Sequence, residues 1–120
     1  MSVYIDQERN RFGRMIMCHM WADTLSELHA MAESIGMDRA WFQPLSFPHY
    51  DVSLSRRAKA VANGAIEMDR RAGVQSRKAI RERGWSDDEL AELRAAIPAY
   101  DAARQKRSAL RALAESNNGE

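Results

Sequence analysis

Three apolar segments in the first 70 residues have the spacing of β-strands. Short segments occupy residues 3–6 and 65–68, and a nearly continuous apolar run covers residues 15–22. A continuous run of this length is typical of a strand that is buried on both faces. Because side chains alternate along a strand, Cys18 and His19 are predicted to point to opposite faces of the sheet. The pattern predicts three strands.

A polar stretch at residues 7–14 is predicted to turn the chain between the first two strands, and two amphipathic helices are predicted between the second and third strands. Thr24 and Glu27 have the spacing of a capping box, in which each side chain satisfies a backbone donor at a helix start. The helix that follows is predicted to end at Gly36, because glycine readily adopts the left-handed conformation of helix ends. A second helix is predicted from about Ser53, a capping residue, to about Asn63.

The last third of the chain has the pattern of helices throughout. Residues 74–83 predict a basic helix, and Ser86 with Glu89 forms a second capping box. Proline has no amide hydrogen, so Pro98 is expected to break or kink the following helix near Ala96.

The order of these elements predicts the fold. Strand, helix and strand with short connections are typical of a right-handed βαβ crossover and a parallel strand pair. We therefore predict an α/β (or α+β) fold with a small three-stranded, partly parallel sheet, flanking helices and a C-terminal helical arm. Residues 1–73 are predicted to form the α/β core, and residues 74–120 a helical extension of the same domain.

Composition limits the cellular locations that we expect for the protein. Cys18 is the only cysteine, which excludes an internal disulfide and a multi-cysteine zinc site. No apolar run approaches the roughly 18–20 residues of a membrane span. The first residues, with an acid at Asp6, do not resemble a secretory signal. We therefore expect a cytoplasmic protein that has no membrane partner.

Charge is distributed unevenly along the chain. The net charge is +1, yet residues 52–83 contain nine basic and three acidic residues. Such a segment can bind phosphate, nucleic acid or an acidic protein, or it can simply form a solvated helical face.

Histidines and carboxylates are predicted to meet at one edge of the sheet, because open α/β folds bind ligands at the carboxyl ends of their strands. Asp6 ends the first strand, His19 and Asp23 lie near the end of the second, and His49 and Asp51 precede the middle helix. Imidazole and carboxylate are ligands of zinc, manganese and iron, so His19, Asp23, His49 and Asp51 are predicted metal ligands. For acid–base chemistry the candidates are His19, His49 and Asp51, and Asp6 is a candidate ligand-binding residue.

Structural roles are the alternative for the same residues. His19 can be a hydrogen-bonded core histidine, and Asp23 can be an acid favoured by the helix dipole. The spacing matches no diagnostic metal motif such as His-Glu-x-x-His. The identity of a cofactor therefore stays open, with a divalent metal as one candidate.

The start of the middle helix is a candidate anion site. Its free backbone amides, the Ser53 and Ser55 hydroxyls and the Arg56 guanidinium are donors of the type that hold phosphate or carboxylate. His49 lies just upstream, so an anion bound there would contact the predicted edge.

Several sequence blocks in order resemble a bacterial and phage family known as domain-of-unknown-function family 4031. They lie within residues 2–72 and read Val3-Tyr4-Ile5-Asp6, Gly13-Arg14, Cys18-His19, Ala22-Asp23, Glu27-Leu28-His29, Trp41-Phe42-Gln43, Pro48-His49-Tyr50-Asp51, Arg57-Ala58-Lys59-Ala60-Val61 and Gly64-Ala65. The resemblance implies a cytoplasmic protein, often phage-borne or borne on a mobile element. It supplies no activity, cofactor or catalytic residue.

Three functional hypotheses follow. The first is a small enzyme directed at a phosphorylated small molecule or nucleotide, including a metal-dependent hydrolase. The second is a non-enzymatic phage or mobile-element protein, an inhibitor or a nucleic-acid-associated accessory factor, that uses the basic helical region. The third is a homodimer paired through apolar positions of the helical arm, which are Leu90, Leu93, Ile97, Leu110 and Leu113.

Overall fold

A computed structural model describes residues 2–12 and 15–118 of the chain. Gly13 and Arg14, one of the blocks of family resemblance, lie outside the described residues, as do the last two residues of the predicted helical extension.

The fold contains short strands and four α-helices in the described part of the chain. The elements are β1 (Val3–Asp6), β2 (Asn10–Phe12), β3 (Met15–Ala22), α1 (Leu25–Ser34), β4 (Tyr50–Ser53), α2 (Leu54–Ala62), β5 (Ile66–Met68), α3 (Arg70–Arg83) and α4 (Asp87–Asn118). A single 3₁₀ turn at Arg39–Trp41 lies between α1 and β4.

The sheet is built around β3. Met20 lies opposite both Ile5 of β1 and Tyr50 of β4, so these two antiparallel strands flank β3 on opposite sides. β2 pairs with the first half of β3 on the β1 side. β5 pairs in parallel with the free side of β1. Across the sheet the order is therefore β4, β3, β1 and β5.

This mixed sheet with flanking helices confirms the predicted fold class, and its one parallel pair within the described residues joins β1 and β5. The short strands β2 and β4 are additional to the three predicted ones. α3 begins at Arg70 rather than at residue 74, so the predicted core boundary at residue 73 falls inside this helix. α4 is continuous across Pro98, so of the break or kink predicted near Ala96 the break is not observed.

One face of the sheet packs against α1 and forms the main core. α1 begins where the sequence predicts, with the Thr24 hydroxyl accepting the backbone N–H of Glu27 at 3.3 Å. Gly36 follows with a φ of 78°, a left-handed conformation that favours glycine. The fully buried side chains of this core include Ile5, Met20, Leu25, Leu28, Tyr50 and Val52.

The opposite face is covered in part by α3. The Trp21 side chain on β3 is fully buried, and its Nε1–H donates to the Ser76 hydroxyl at 3.1 Å. Phe47 and Ile80 complete this smaller apolar cluster. Two positions before Trp21 on the same strand face, His19 remains about one-third exposed. The uncovered part of this face carries the candidate site.

α4 is attached to the sheet domain by its first half. The Glu89 carboxylate accepts the backbone N–H of Leu25 at 2.9 Å, and Leu93 packs against the main core. In the second half, Leu110 and Leu113 are 60% and 64% exposed. Within the described ranges, α4 and the shorter helices are too polar or too short to qualify as membrane-crossing segments.

Candidate functional site

A row of polar side chains crosses three strands on the uncovered face of the sheet. His19 of β3 lies opposite Asp51 of β4. In the antiparallel register of β1 and β3, Ile5 lies opposite Met20. The next residue of β1, Asp6, therefore lies beside the preceding residue of β3, His19. Because cross-strand partners share a face, Asp6, His19 and Asp51 form one line across the sheet.

Asp6 fixes the His19 ring from the β1 side. Its Oδ2 accepts the Nδ1–H of His19 at 2.8 Å, and its Oδ1 accepts the backbone N–H of the same residue at 2.9 Å. Asp6 is 2% exposed, so its carboxylate is buried at this contact. The hydrogen bond that His19 donates to Asp6 raises the pKa of His19, although partial burial of the ring opposes this effect. The ring is thereby held with Nε2 directed away from Asp6.

A second imidazole reaches the same place from the loop before β4. The Nδ1–H of His49 donates to the Phe47 carbonyl at 2.6 Å, which directs its Nε2 outward. This Nε2 lies 3.4 Å from Oδ1 of Asp51, and the Nε2 of His19 lies 3.7 Å from the same oxygen. The two rings are edge-to-face, with centroids 5.3 Å apart.

Asp51 is oriented by its other oxygen. Gln43 donates its Nε2–H to Oδ2 at 2.6 Å, so Oδ1 is the oxygen that faces the two imidazoles. Burial alone would raise the pKa of Asp51, but His49 in its protonated form and the hydrogen bond from Gln43 outweigh it and hold that pKa below its usual value. Asp51 is therefore a carboxylate at neutral pH.

The geometry leaves three electron-pair donors facing one another. A carbonyl and a carboxylate can only accept, so both Nδ1 atoms carry hydrogen, and in the neutral rings both Nε2 atoms carry a lone pair. Two lone pairs and a carboxylate oxygen repel each other unless a proton or a cation lies among them. We call the three residues, His19, His49 and Asp51, the triad; one ligand atom from each lies within 4.8 Å of the others.

The triad fits a small divalent metal ion. Bonds of about 2.0–2.1 Å in a tetrahedral zinc site place ligand atoms roughly 3.3 Å apart, close to the 3.4 and 3.7 Å observed here. Metal-binding histidines usually donate their second ring N–H to a carboxylate or a backbone carbonyl. Asp6 and the Phe47 carbonyl supply one acceptor of each kind. Two imidazoles and one carboxylate leave coordination positions open for water and substrate.

Asp6, Glu8 and His19 form a second group with ligand atoms within 4.8 Å. Here the Asp6 carboxylate and the His19 Nδ1 already bind each other, and Glu8 Oε2 lies 3.7 Å from that nitrogen. The group therefore supports the His19 ring, whereas the triad offers lone pairs that are not committed to protein donors.

Asp23, a predicted ligand, does not join the triad. Its carboxylate accepts the Tyr4 hydroxyl at 3.0 Å and the Ser2 backbone N–H at 2.8 Å. β3 runs antiparallel to β1, so the residue after the end of β3 lies at the opposite end of the sheet from Asp6. The prediction assumed that the ends of these strands share an edge, and the antiparallel pairing separates them.

The predicted anion-binding residues lie at the start of α2. The Ser53 hydroxyl caps the helix by accepting the Arg56 backbone N–H at 3.4 Å, and the Ser55 hydroxyl is 3.3 Å from it. Ser53 lies two positions after Asp51 on the same strand face, which places the helix start beside the triad. The Arg56 guanidinium lies over the Trp41 ring, 5.2 Å from its centroid.

Three contributors to the site were not predicted from the sequence. They are the Gln43 amide, the Phe47 carbonyl and the Glu8 carboxylate. Gln43 is brought to Asp51 by an isolated antiparallel bridge with His49, a pairing that no local sequence pattern signals. For Glu8 the sequence offers one signal of its place in the site, which is its position two residues after Asp6.

The fold and site together define an α+β protein with a partly exposed cluster of two histidines and one aspartate on its sheet. A family model described as "Protein of unknown function (DUF4031)" matches residues 3–80, and the chain belongs to this family. The matched range includes all the triad residues and most of α3, and α4 follows it. Comparisons with curated proteins and with solved structures give no significant match.

Proposed function

We propose that the protein is a metal-dependent hydrolase of phosphate esters, with a divalent cation bound by the triad. The observation that carries this proposal is the convergence of the His19 Nε2, His49 Nε2 and Asp51 Oδ1 atoms, each fixed by a bond through the residue's other polar atom. Preoriented ligands of this kind lose little conformational freedom when they bind a metal.

The reaction class follows from the open coordination positions and from the nearby basic groups. A cation in such a site polarises a phosphoryl oxygen and lowers the pKa of a bound water. The water oxygen adds to phosphorus, the bond from phosphorus to the leaving oxygen breaks, and a proton from the water ends on that leaving oxygen. The start of α2, with Arg56 and two serine hydroxyls, lies where it can bind the phosphoryl group.

We also propose that the protein is cytoplasmic, as its single cysteine leads us to expect. Cys18 is the one cysteine, it is buried, and burial raises the pKa of its thiol. A buried thiol of raised pKa is a poor nucleophile and is consistent with a structural role.

Metal titration of the purified protein tests the proposal. Calorimetry with Zn²⁺ and Mn²⁺ should show one site per chain, which His49→Ala and Asp51→Asn abolish. Asp23→Asn is the matched control, because it also removes one carboxylate and lies outside the triad. Hydrolysis of bis(p-nitrophenyl) phosphate should require the metal and should disappear in the same two variants.

Two results would overturn the proposal. One is metal binding in His49→Ala and Asp51→Asn with the stoichiometry of the unmodified protein. The other is hydrolysis that persists in a chelator but is lost in His49→Ala, which would indicate metal-free acid–base chemistry at the same residues.

A second candidate function is association through α4, as an interaction protein or a homodimer. The observation that favours it is the exposure of Leu110 and Leu113 on a helix that follows the family-matched residues. Sedimentation of the unmodified protein and of a Leu110→Ser/Leu113→Ser variant tests pairing of two copies. A dimer that the variant converts to a monomer supports it, and a monomer in both cases excludes it.

A further inference from the structure

Three arginines of α3 lie on one side of this helix. Arg70, Arg77 and Arg81 are separated by seven and four residues, which places them in one stripe along a helix. The stripe spans roughly 16 Å along the helix axis at about 1.5 Å per residue. We call these three residues the arginine stripe.

The arginine stripe borders the triad. Arg70 Nε lies 3.8 Å from a carboxylate oxygen of Glu8, which in turn contacts His19. The Arg77 guanidinium lies 4.6 Å from the centroid of the Trp21 ring, and Trp21 lies two positions after His19 on β3. The Arg70 guanidinium is therefore linked to His19 through Glu8, and the Arg77 guanidinium is held on the strand that carries His19.

The third arginine packs on the residue whose carbonyl orients the other histidine. The Arg81 guanidinium lies 5.4 Å from the centroid of the Phe47 ring, and the carbonyl of Phe47 orients His49. Among the residues that the structure describes, no carboxylate lies within 4.0 Å of the Arg77 or Arg81 guanidinium. Their positive charges are thus held by aromatic rings and are not neutralised by ion pairs.

An exposed aromatic side chain lies on the other side of the triad. Trp41 is 49% exposed and has the Arg56 guanidinium over its ring. Trp41 precedes by two residues Gln43, whose amide binds Asp51. The triad is therefore flanked by stacked arginines on its α3 side and by an exposed tryptophan with a further arginine on its α2 side.

We propose that the substrate of this centre is a single strand of nucleic acid, with phosphates on the arginine stripe and a base stacked on Trp41. The inference deepens the proposed phosphate-ester hydrolase and rests on it for the chemistry at the triad. Arginine-lined grooves with accessible aromatic rings are the usual means of binding single strands. A row of about 16 Å is longer than one phosphate can use, which favours a polyanion over a phosphorylated small molecule.

A single strand fits this surface better than a duplex. Stacking on Trp41 needs the face of a base, and that face is accessible in a single strand and covered in a duplex. The proposal thus predicts preference for unpaired nucleic acid, with little sequence selectivity.

Fluorescence polarisation with a labelled oligothymidylate of about 12 nucleotides tests the inference. The protein is kept in a chelator, so that binding by the arginine stripe is measured apart from metal binding. Arg77→Gln/Arg81→Gln should weaken binding by about tenfold or more, and Trp41→Ala by about fivefold or more. The logarithmic salt dependence of binding should become shallower by about 1.4 in the double variant, at roughly 0.7 per phosphate contact.

Arg71→Gln/Lys78→Gln is the matched control, because it makes the same charge change on the same helix. The two control residues are seven positions apart, as Arg70 and Arg77 are, and each lies about a quarter-turn around the helix from the arginine stripe. The control should change affinity by no more than about twofold to threefold. Thermal unfolding and metal stoichiometry should be unchanged in both double variants, which shows that fold and triad are intact.

The outcomes separate this inference from the proposed function. His49→Ala should lose metal and turnover but keep oligonucleotide binding. Metal-dependent turnover without oligonucleotide binding, equal losses in both double variants, or tighter binding of a matched duplex would overturn the inference and leave the hydrolase proposal in place. Equal competition by thymidine monophosphate would likewise overturn it, because one phosphate would then suffice.

Discussion

One carboxylate, that of Asp6, holds both the ring and the backbone of His19. Its two oxygens accept the Nδ1–H at 2.8 Å and the backbone N–H at 2.9 Å. A residue bound at both points can neither rotate its ring nor shift along the sheet without breaking a buried bond. The His19 Nε2 is consequently fixed toward Asp51, and Asp6 acts as a positioning residue for the triad.

The first prediction concerns this positioning. Asp6→Asn keeps the shape of the side chain but removes its negative charge, so Zn²⁺ affinity should fall about 10- to 100-fold. In the metal-free protein the pKa of His19 should also fall, because its strongest favourable partner in the protonated state is lost. Competition with a chromogenic chelator measures the affinity, and NMR titration of the ring measures the pKa.

Asp23→Asn serves as the control for Asp6→Asn, since its carboxylate bonds to Ser2 and Tyr4 at the other end of the sheet. Asp23→Asn should leave both the Zn²⁺ affinity and the pKa of His19 unchanged. An Asp6→Asn protein with the original metal affinity and the original His19 pKa would show that Asp6 only stabilises the fold.

The second prediction concerns the contact between α3 and the sheet. A Cβ added at Gly73 would lie 3.2 Å from Cη2 of Trp21 and 3.3 Å from an Arg77 nitrogen. Alanine gains about 1 kcal/mol in helix propensity, but overpacking typically costs about 1–3 kcal/mol. Because Trp21 is fully buried and bonded to Ser76, we expect Gly73→Ala to lower the free energy of unfolding by about 1 kcal/mol.

Urea unfolding measures this change. Val74→Ala is the control, since Val74 is the next residue of the same helix and is 52% exposed. It should be neutral or slightly stabilising. A Gly73→Ala protein more stable than the unmodified one would mean that the Trp21 ring moves aside without cost.

Helix starts could be predicted from the sequence because their signals are local. Ser86 and Glu89 form both bonds of the predicted capping box. At α1 the Thr24 hydroxyl accepts the Glu27 backbone N–H as predicted, while the Glu27 carboxylate accepts the Thr24 hydroxyl instead of a backbone N–H. The start of α3 was placed too late because Gly73 interrupts the helical pattern. In the structure this glycine lies inside the helix, where the Trp21 ring packs against it.

The site depended on information that is not local. The sequence identified His19, His49 and Asp51 by residue type, but their meeting depends on the β3–β4 register. The antiparallel direction of β3 relative to β1 was not encoded in any local pattern, and it removed Asp23 from the site. Gln43 also enters the site through a non-local contact, the isolated antiparallel bridge that it forms with His49.

The third prediction concerns acid stability. Burial alone would raise the pKa of Glu89, but hydrogen bonds from the backbone N–H groups of Leu25 and Ser86 outweigh it, so its pKa lies below the ordinary 4.5. A group with a lowered folded-state pKa stabilises the fold above its unfolded-state pKa and loses that contribution as pH falls through the folded-state value. Glu89→Gln should therefore be less stable than the unmodified protein at neutral pH.

This stability difference should shrink in acid. Urea unfolding from neutral pH to about pH 3 measures it, and the window of change lies below the ordinary glutamate pKa. Glu82→Gln is the control, because it makes the same substitution at an exposed glutamate on α3. A constant difference between Glu89→Gln and the unmodified protein over this range would contradict the proposed role of the ionised carboxylate.

The last prediction concerns Pro98 in the interior of α4. Proline cannot donate to the carbonyl four residues earlier, that of Arg94, and in a helix interior it costs about 3 kcal/mol relative to alanine. Leu93 and Ala96, before Pro98, pack against the core, whereas Leu110 and Leu113 beyond it are exposed. Pro98→Ala should therefore slow amide hydrogen exchange in residues 99–116 while changing the global unfolding midpoint little. Mass-spectrometric exchange measures the first quantity and urea unfolding the second. Exchange in this segment that is no slower in Pro98→Ala would show that Pro98 does not limit helix stability there.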